Sequence, residues 1–308
     1  MDESDPVAEF RSHRGRLFGL AYRMLGSAAS AEDMVQEAFL RWSGADHASI
    51  ASPGAWLAKT VTNLCLNHLD SARVRREQYV GPWLPEPVLT EDGALGPLEL
   101  AQQRESVSMA LLALLEQLAP AERAVFVLRE AFGYDHQSIA GMLECSQDNS
   151  RQLHHRATRR LREERARFEP DHGAWHQLVE RFLAAARDGD LARLEELLTA
   201  DVTSWSDGGG KASAARRPVV GSTQVARLVV GLLRQADEEV TISVREVNGA
   251  SALLAHSGPT LIAAMVPHVA DGRITALRSV TNPDKLRFLQ SQLTDDVSHT
   301  GGLSGPNG

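Results

Sequence analysis

The sequence predicts a multidomain protein in which two all-α modules precede an α+β domain. Apolar residues recur at helical spacing through residues 1–76 and again through 105–168. The segment between them, 77–104, is rich in proline and acidic residues and predicts an extended linker. Beyond residue 198 the pattern changes to alternating β-rich runs. With 308 residues, of which 43% are hydrophobic, the chain can bury more than one core.

The first module is predicted to contain three helices, over 10–25, over 31–42 and from Pro53 onward. Ser30 with Asp33 is typical of a helix start, and proline is favoured in the first turn of a helix. The third helix carries an apolar stripe that we expect to be buried, made of Trp56, Leu57, Val61, Leu64, Cys65 and Leu69.

The linker is acidic. From Glu77 to Gln103 there is no lysine or arginine, but there are five acidic residues and four prolines. Like charges and proline both favour an extended chain.

The second module has the pattern of a helix-turn-helix. A helical stretch is broken at Gly133, a short helix follows, and Cys145 and Ser146 form a turn before a helix crowded with arginine. From residue 151 to 167 there are 7 arginines against two glutamates, although the whole chain carries a net charge of −8. Positive charge concentrated on one helix of an acidic protein predicts a nucleic-acid partner.

The last domain, 173–293, is predicted to place helices on a curved antiparallel sheet. The expected elements are helices at about 174–187, 190–198 and 222–235, a strand around 202–205, a glycine-rich turn at 207–211, and strands at 239–247, 251–256, 259–269 and 273–281. Asn248-Gly249 and Asp271-Gly272 are typical hairpin turns. The polar, glycine-rich tail, 294–308, is expected to be disordered.

Two motifs resemble the extracytoplasmic-function (ECF) group of RNA polymerase sigma factors. The run Ala31 to Trp42 (AEDMVQEAFLRW) is similar to the core-binding helix of that group, and Ala55-Trp56-Leu57 with Asn63 and Asn67 is similar to its −10-reading helix. The resemblance implies that 1–76 is sigma region 2, for polymerase binding and −10 recognition, and that 105–168 is region 4, for −35 recognition.

Three further motifs resemble one subgroup, in which a SnoaL-like domain of the nuclear transport factor 2-like, cone-shaped fold follows region 4. They are Trp-Leu-Pro-Glu-Pro at 83–87, Asp-Gly-Gly-Gly-Lys at 207–211 and Asn-Pro-Asp-Lys-Leu at 282–286. The resemblance implies that 173–293 is a regulatory domain. It also shows one departure, because the family commonly has an apolar residue where Ser150 stands, and a polar residue there predicts looser packing of the recognition helix.

The DNA-binding candidates lie on two helices. In the second module Arg151, Gln152, His155 and Arg156 share one helix face and suit guanine and adenine edges at −35, with Arg159, Arg160 and Arg162 as phosphate contacts. For −10 capture the candidates are Lys59, Asn63, Asn67, Asp70, Arg73, Arg75 and Arg76. Tyr79 suits either base stacking or packing against the linker.

Two protein-binding sets follow from the resemblance. The polymerase-binding set is Asp33, Gln36, Glu37 and Arg41, for which an ordinary solvated helix face is the alternative. The interdomain regulatory set is Trp83, Leu84, Pro85, Glu86 and Pro87 with Asp207, Gly208, Gly209, Gly210 and Lys211 and with Asn282, Pro283, Asp284, Lys285 and Leu286. In that set we expect Trp83 and Leu84 to anchor the linker, and Lys211 or Lys285 to face Glu86 at an exposed rim.

The sequence therefore predicts a sigma factor that binds core RNA polymerase and promoter DNA and is regulated in cis by its last domain. Two alternatives are a SnoaL-like enzyme with an accessory DNA-binding module, for which His256, His268 and Asp207 are candidate residues, and an ordinary helix-turn-helix regulator. We expect no catalytic residue, cofactor or metal. Whether the last domain binds a small-molecule ligand stays open. Two cysteines in patterns that bury them indicate reduced thiols. Without an apolar run of about 20 residues, a cytoplasmic protein without membrane contact is expected.

Overall fold

The structure, a computed structural model, describes residues 5–77, 79–90, 106–165, 172–237 and 239–300. Within the helices, the side chains of 72–77, 163–165, 172–174 and 297–300 lie outside this description. The chain divides into two compact units, one of residues 1–78 and 93–166, the other of 79–92 and 167–308. No helix within the described ranges is long and apolar enough to cross a membrane.

The described part of the first unit is helical. Its helices are α1 (Pro6–Leu25), α2 (Ala28–Ser43), α3 (Pro53–Glu77), α4 (Met109–Leu115), α5 (Pro120–Glu130), α6 (His136–Leu143) and α7 (Gln147–Arg165). The helix-turn-helix is α5 to α7, and Gly133 adopts φ 70° at its predicted break. The predicted start of α2 at Ser30 is wrong. Gly26 ends α1 in a left-handed conformation, and Ser27 then caps α2 by accepting the backbone N–H of Ser30.

The two helical modules pack against each other within this unit, where the sequence predicted separate modules. Arg23, which is 5% exposed, donates to Ser106 Oγ over 2.9 Å. Arg123, which is 2% exposed, donates to the Met24 carbonyl over 2.8 Å and to Glu116 Oε1 over 2.6 Å. Two buried arginines whose donors meet acceptors of both modules make these contacts specific.

The second unit places helices on a six-stranded mixed sheet. Its elements are α8 (His172–Asp188), α9 (Leu191–Leu197), β1 (Leu198–Asp207), β2 (Val219–Val220), α10 (Ser222–Gln235), β3 (Val240–Val247), β4 (Ala250–Ser257), β5 (Thr260–Ala270), β6 (Arg273–Val280) and α11 (Pro283–Thr300). The strand order is β2-β1-β6-β5-β4-β3. Strands β3 to β6 form the predicted antiparallel meander, but β1 pairs with β6 in parallel, which the sequence did not predict. Both predicted hairpin turns have positive φ, at Asn248 and at Asp271.

The C-terminal helix corrects the predicted tail. Helix α11 continues to Thr300, so 294–300 are helical where disorder was expected, while 301–308 lie outside the described residues. Leu286, Leu289 and Leu293 lie on one buried face, and Arg245 pairs with Asp296 over 2.8 Å. These contacts with the sheet outweigh the polar composition of the last turns.

Part of the linker belongs to the second unit. Residues 79–90, which we call the docked linker, run extended along that unit, and Leu89 forms an antiparallel β-bridge with Val247. The rest of the predicted linker, 91–104, lies outside the described residues. The sequence predicted that 77–104 form a linker separate from both domains. The contacts in the structure instead assign its first part, from residue 79, to the second unit.

Candidate nucleic-acid interface and linker-binding site

Helix α7, the recognition helix, separates its residues into two faces. Leu153, Ala157 and Leu161 are buried and hold it in the helix-turn-helix. The seven predicted −35 residues are all exposed: Arg151, Gln152, His155, Arg156, Arg159, Arg160 and Arg162. The structure thus brings the seven candidates onto the accessible side of one helix, the arrangement that major-groove recognition requires.

Glu122 of α5 organises two of these arginines. Its side chain is 5% exposed, and its carboxylate lies 3.2 Å from Arg156 Nε and 2.9 Å from Arg160 Nη1. It also accepts the backbone N–H of Ala119 over 3.3 Å, in the manner of a capping box. Sequence reasoning missed this residue, although a glutamate three positions after the N-cap of a helix was an available signal.

The first turn of the recognition helix differs from the sequence prediction. Ser150 is fully buried and lies 3.0 Å from Nδ1 of His136, so the polar substitution has a specific partner and the expected loosening is wrong. The predicted burial of Cys145 is also wrong, because it lies in the turn and is partly exposed, whereas Cys65 is buried.

Helix α3 carries the −10 candidates. Asn67 and Asp70 are exposed, while Lys59 and Asn63 are half-buried. Lys59 Nζ pairs over 3.1 Å with Glu144, which ends α6 in the helix-turn-helix. The side chains of Arg73, Arg75 and Arg76 lie outside the described residues.

Helix α2 presents the polymerase-binding candidates. Asp33, Gln36 and Arg41 are exposed, and Glu37 is half-buried and 3.0 Å from Arg41. Leu40, which is 59% exposed, lies on the same stripe, seven residues after Asp33. The sequence analysis missed this leucine, although an apolar residue at that spacing on a polar face was visible.

Asp207 is the centre of the linker-binding site. It ends β1 and is fully buried, and its carboxylate accepts three hydrogen bonds: from Tyr79 Oη over 2.5 Å, from the Leu84 N–H over 2.8 Å and from Lys285 Nζ over 2.7 Å. Two of the three donors belong to the docked linker. Tyr79, for which stacking and packing were both open, packs here.

Lys285 completes this site from α11. It is 7% exposed, donates to the Leu84 carbonyl over 2.5 Å and lies 4.2 Å from the ring centre of Trp83. The expected exposed rim is therefore wrong, since Lys285 is buried beside Asp207, and Lys211 pairs with Asp284. A lysine between a carboxylate and an aromatic ring combines ion-pair and cation–π attraction in a desolvated site.

The glycine-rich loop allows the linker to approach closely. Gly209 has φ 56°, and a Cβ there would clash with Asn282 and lie 2.8 Å from Tyr79 Oη. Asn282 Nδ2 in turn donates to Tyr79 Oη over 2.9 Å. The three motif segments, 83–87, 207–211 and 282–286, thus meet at one place.

The second half of the docked linker is held by two amide side chains. The Val88 N–H donates to Asn248 Oδ1 over 3.1 Å, and the Leu89 N–H donates to Gln292 Oε1 over 2.9 Å. Leu84, Val88 and Leu89 are buried, as are Pro85, Glu86 and Pro87. Sequence reasoning marked Asn248 only as part of a hairpin turn and did not mark Gln292, because no motif indicates a contact of either amide with the linker.

Burial shifts the pKa of Tyr79 and of the two histidines named for the enzyme alternative. Burial and the hydrogen bond to Asp207 raise the pKa of Tyr79, so its phenol stays protonated and donates. Burial, aided by Arg278, lowers the pKa of His268 to about 3, and burial also lowers the pKa of His256. Among the described residues no cluster of three His, Cys, Asp or Glu could hold a metal ion.

Comparison with known proteins agrees with this geometry. Residues 10–75 match the family model for sigma-70 region 2, and residues 108–161 match that for sigma-70, region 4. The ECF RNA polymerase sigma factor SigJ of Mycobacterium tuberculosis is 38% identical over 289 residues, covering 91% of this chain and 92% of that protein. The chain belongs to the ECF RNA polymerase sigma factor family. The predicted resemblance is confirmed.

A second relative and one solved structure also cover more than nine tenths of this sigma factor. The probable ECF RNA polymerase sigma factor SigI of M. tuberculosis is 36% identical over 302 residues, covering 95% of this chain and 99% of that protein. The crystal structure of M. tuberculosis SigJ matches with a TM-score of 0.73 and 34% identity, covering 92% and 98% of the two chains. The predicted order of two helical sigma domains and an α+β domain is confirmed. The protein is an alternative sigma factor in transcription initiation, a role that implies core RNA polymerase and promoter DNA as partners.

Proposed function

We propose that this sigma factor recognises −35 DNA with α7, captures −10 bases with α3, binds the polymerase clamp with α2, and is regulated in cis by its C-terminal domain through the docked linker. The observation that carries the regulatory part is the buried Asp207 carboxylate, which accepts hydrogen bonds from Tyr79, Leu84 and Lys285. Both ends of this contact belong to one chain, so the proposal needs no separately encoded regulator.

The DNA-binding part rests on the exposed arginine face of α7. Arg151 and Gln152 lie in the turn that enters a major groove first, and such side chains form bidentate contacts with guanine and adenine. Arg159 and Arg160 lie farther along the helix, where phosphates are the usual partners. Arg156 and Arg160 both pair with Glu122 in the free protein, so each gives up an existing ion pair when it contacts DNA. For Arg156, a base-reading candidate, this cost favours discrimination, because only the matching base replaces the lost ion pair.

Promoter recognition on this scheme requires the two helical modules to separate. The −35 and −10 elements lie about 25 base pairs apart, roughly 85 Å along B-DNA. In the first unit Lys59 of α3 pairs with Glu144 of the helix-turn-helix over 3.1 Å. One compact unit of this size has a radius of gyration of roughly 15 Å, so it cannot span both elements.

The polymerase-binding part rests on the stripe formed by Asp33, Gln36, Leu40 and Arg41. An exposed leucine amid charged residues has the composition of an interface centre with a polar rim. Buried against a partner, Leu40 would contribute roughly 1.5 to 3 kcal/mol.

The regulatory part assigns the C-terminal domain control of the linker between the two DNA-binding modules. While 79–90 are docked, the segment that must extend during promoter recognition is held by a folded domain. A ligand or partner can release it only through unequal affinity for the docked and released states. No catalytic role is assigned, since Asp207, a candidate of the enzyme alternative, is bound to the linker.

Run-off transcription with core polymerase tests the scheme. We expect Lys285→Met and a chain ending after residue 170 to change promoter-dependent transcript yield in the same direction. Lys211→Met is the matched control, because Lys211 forms an exposed ion pair with Asp284. If Lys285→Met and the shortened chain both transcribe like the full-length protein, the C-terminal domain is not a cis regulator.

A further inference from the structure

We propose that the hydrogen bond between Ser150 and His136 positions the base-reading end of the recognition helix and so contributes to −35 sequence specificity. The inference rests on the proposed role of α7 in −35 recognition. It assigns a positioning role to two residues that do not themselves lie on the exposed arginine face.

Ser150 holds the end of α7 that carries no apolar anchor. Among the first six residues of the helix, 147–152, only Ser150 is buried. The apolar contacts begin at Leu153 and continue with Ala157 and Leu161. The rotation of the first turn is therefore fixed by a polar contact, in which Ser150 Oγ lies 3.0 Å from His136 Nδ1.

A second polar contact follows one turn later. His154 Nε2 lies 2.9 Å from Glu130 Oε1 of α5. The rings of His136 and His154 meet edge to face with their centres 5.5 Å apart. Residues of α5, α6 and α7 thus form one network beneath the turn that carries Arg151 and Gln152.

Hydrogen bonds differ from apolar contacts because they depend on the angle between their partners as well as on the distance. A buried hydroxyl without a partner is costly, and hydrogen bonds weaken steeply outside a narrow range of distance and angle. A rotation of about 10° moves a side-chain tip by about 1 Å at a helix radius of 5 to 6 Å, which is enough to break a bidentate base contact. Leucine or valine at this position would tolerate such a rotation.

Burial lowers the pKa of His136, which favours the neutral ring. The ring also faces Arg129 of α5, His154 and Arg151 of α7, which lower its pKa further, and Asp135 of its own N-cap, which raises it. A neutral ring can accept from Ser150 or donate to it, so the hydrogen bond exists with either tautomer.

The test uses the full chain in holoenzyme with core polymerase and selects promoters from a library randomised at −35. We expect Ser150→Ala and His136→Leu to reduce enrichment of the selected sequence over its single-base variants by about 3- to 10-fold. His136→Asn, which keeps a polar atom near the Nδ1 position, should restore most of the preference. Thr158→Val is the matched control, since the Thr158 hydroxyl makes no hydrogen bond among the described residues.

Three outcomes separate the two levels of the proposal. If Arg151→Ala, Gln152→Ala and Arg156→Ala all leave the selected sequence unchanged, α7 does not read −35 bases and the proposed role of α7 itself fails. If Gln152→Ala changes the preference but Ser150→Ala does not, the positioning role is overturned. If His136→Asn is as defective as His136→Leu although both chains melt like wild type, the hydrogen bond is not what positions the helix.

Discussion

Replacing Lys285 by methionine should release the first half of the docked linker and leave the second half in place. The substitution keeps the length and apolar stem of the side chain. It removes the charge that lies 2.7 Å from Asp207 and the donor to the Leu84 carbonyl. Asp207 is then a fully buried carboxylate without its cation.

The free-energy cost of losing the ion pair, compared with the burial energy of each half of the linker, decides whether the linker detaches in part or as a whole. Removing one partner of a buried ion pair costs about 3 to 5 kcal/mol. In the first half, burial of Leu84 offsets about 1.5 to 3 kcal/mol of this. In the second half, Val88 and Leu89 together contribute about 3 to 6 kcal/mol of burial, in addition to their hydrogen bonds with Asn248 and Gln292. Residues 79–84 should therefore detach first, which lets water reach Asp207.

Amide hydrogen exchange on the full-length chain measures this directly. The Leu84 N–H donates to Asp207, and a loss of about 3 kcal/mol of protection corresponds to roughly 150-fold faster exchange. The Leu89 N–H, bonded to Gln292, should exchange as in wild type. Lys211→Met should change the exchange rate of neither amide by more than a few-fold, because an exposed ion pair contributes about 0 to 1 kcal/mol to stability.

Two results would refute this reasoning. Unchanged exchange at Leu84 would mean that the ion pair does not hold the linker. Equal acceleration at Leu84 and Leu89 would mean that residues 79–90 detach as one segment, so that the two halves are not independently anchored.

Three further predictions concern other surfaces of the molecule. Gln152→Ala should cost about 1 to 3 kcal/mol at one −35 base pair, whereas Arg160→Ala should weaken binding evenly across sequences; a binding series over single-base promoter variants compares them, and equal sequence-blind losses would contradict the assignment. Leu40→Glu should reduce affinity for core polymerase at least 10-fold, the equivalent of about 1.4 kcal/mol, in a pull-down or fluorescence titration where Val7→Glu, also at an exposed apolar residue, serves as control; equal affinities would remove Leu40 from the interface. His268 has a folded pKa of about 3 against an ordinary 6.5, so the unfolded chain binds more protons below pH 6.5 and the free energy of unfolding should fall by about 2 kcal/mol between pH 6.5 and pH 5; urea unfolding should show a smaller fall for His268→Gln, and an identical fall would show that another group is responsible.

The helical modules were largely predictable because their signals are local. Apolar periodicity and the break at Gly133 depend only on neighbours in the chain, and the elements of the helix-turn-helix agree with the prediction. The start of α2 was misplaced because Ser27 and Ser30 are both plausible caps. Only the left-handed conformation of Gly26 decides between them.

The linker-binding site was only partly predictable because its partners are far apart in sequence. Asp207 lies 128 residues from Tyr79 and 78 from Lys285, so no local pattern reveals that the three side chains share one buried site. The three motif segments, 83–87, 207–211 and 282–286, are not needed to form the fold, and this indicated that they belong to a docking surface. The linker contacts of Asn248 and Gln292 gave no signal, since the hairpin turn alone accounts for Asn248 and a glutamine on a helix face is ordinary.

The position of the docked linker also determines how experiments on the C-terminal domain must be designed. A chain that ends after residue 170 loses the unit against which Leu84, Val88 and Leu89 are buried. These three side chains together account for about 5 to 9 kcal/mol of apolar burial, and newly exposed apolar surface of that size binds other surfaces or aggregates. A change in transcription by the shortened chain can therefore have two causes: the loss of a regulatory domain, and the exposure of an apolar segment that binds other surfaces. Lys285→Met releases part of the same segment and retains the domain, so agreement between the two variants is evidence for regulation, whereas an effect of the shortened chain alone is evidence only for exposure.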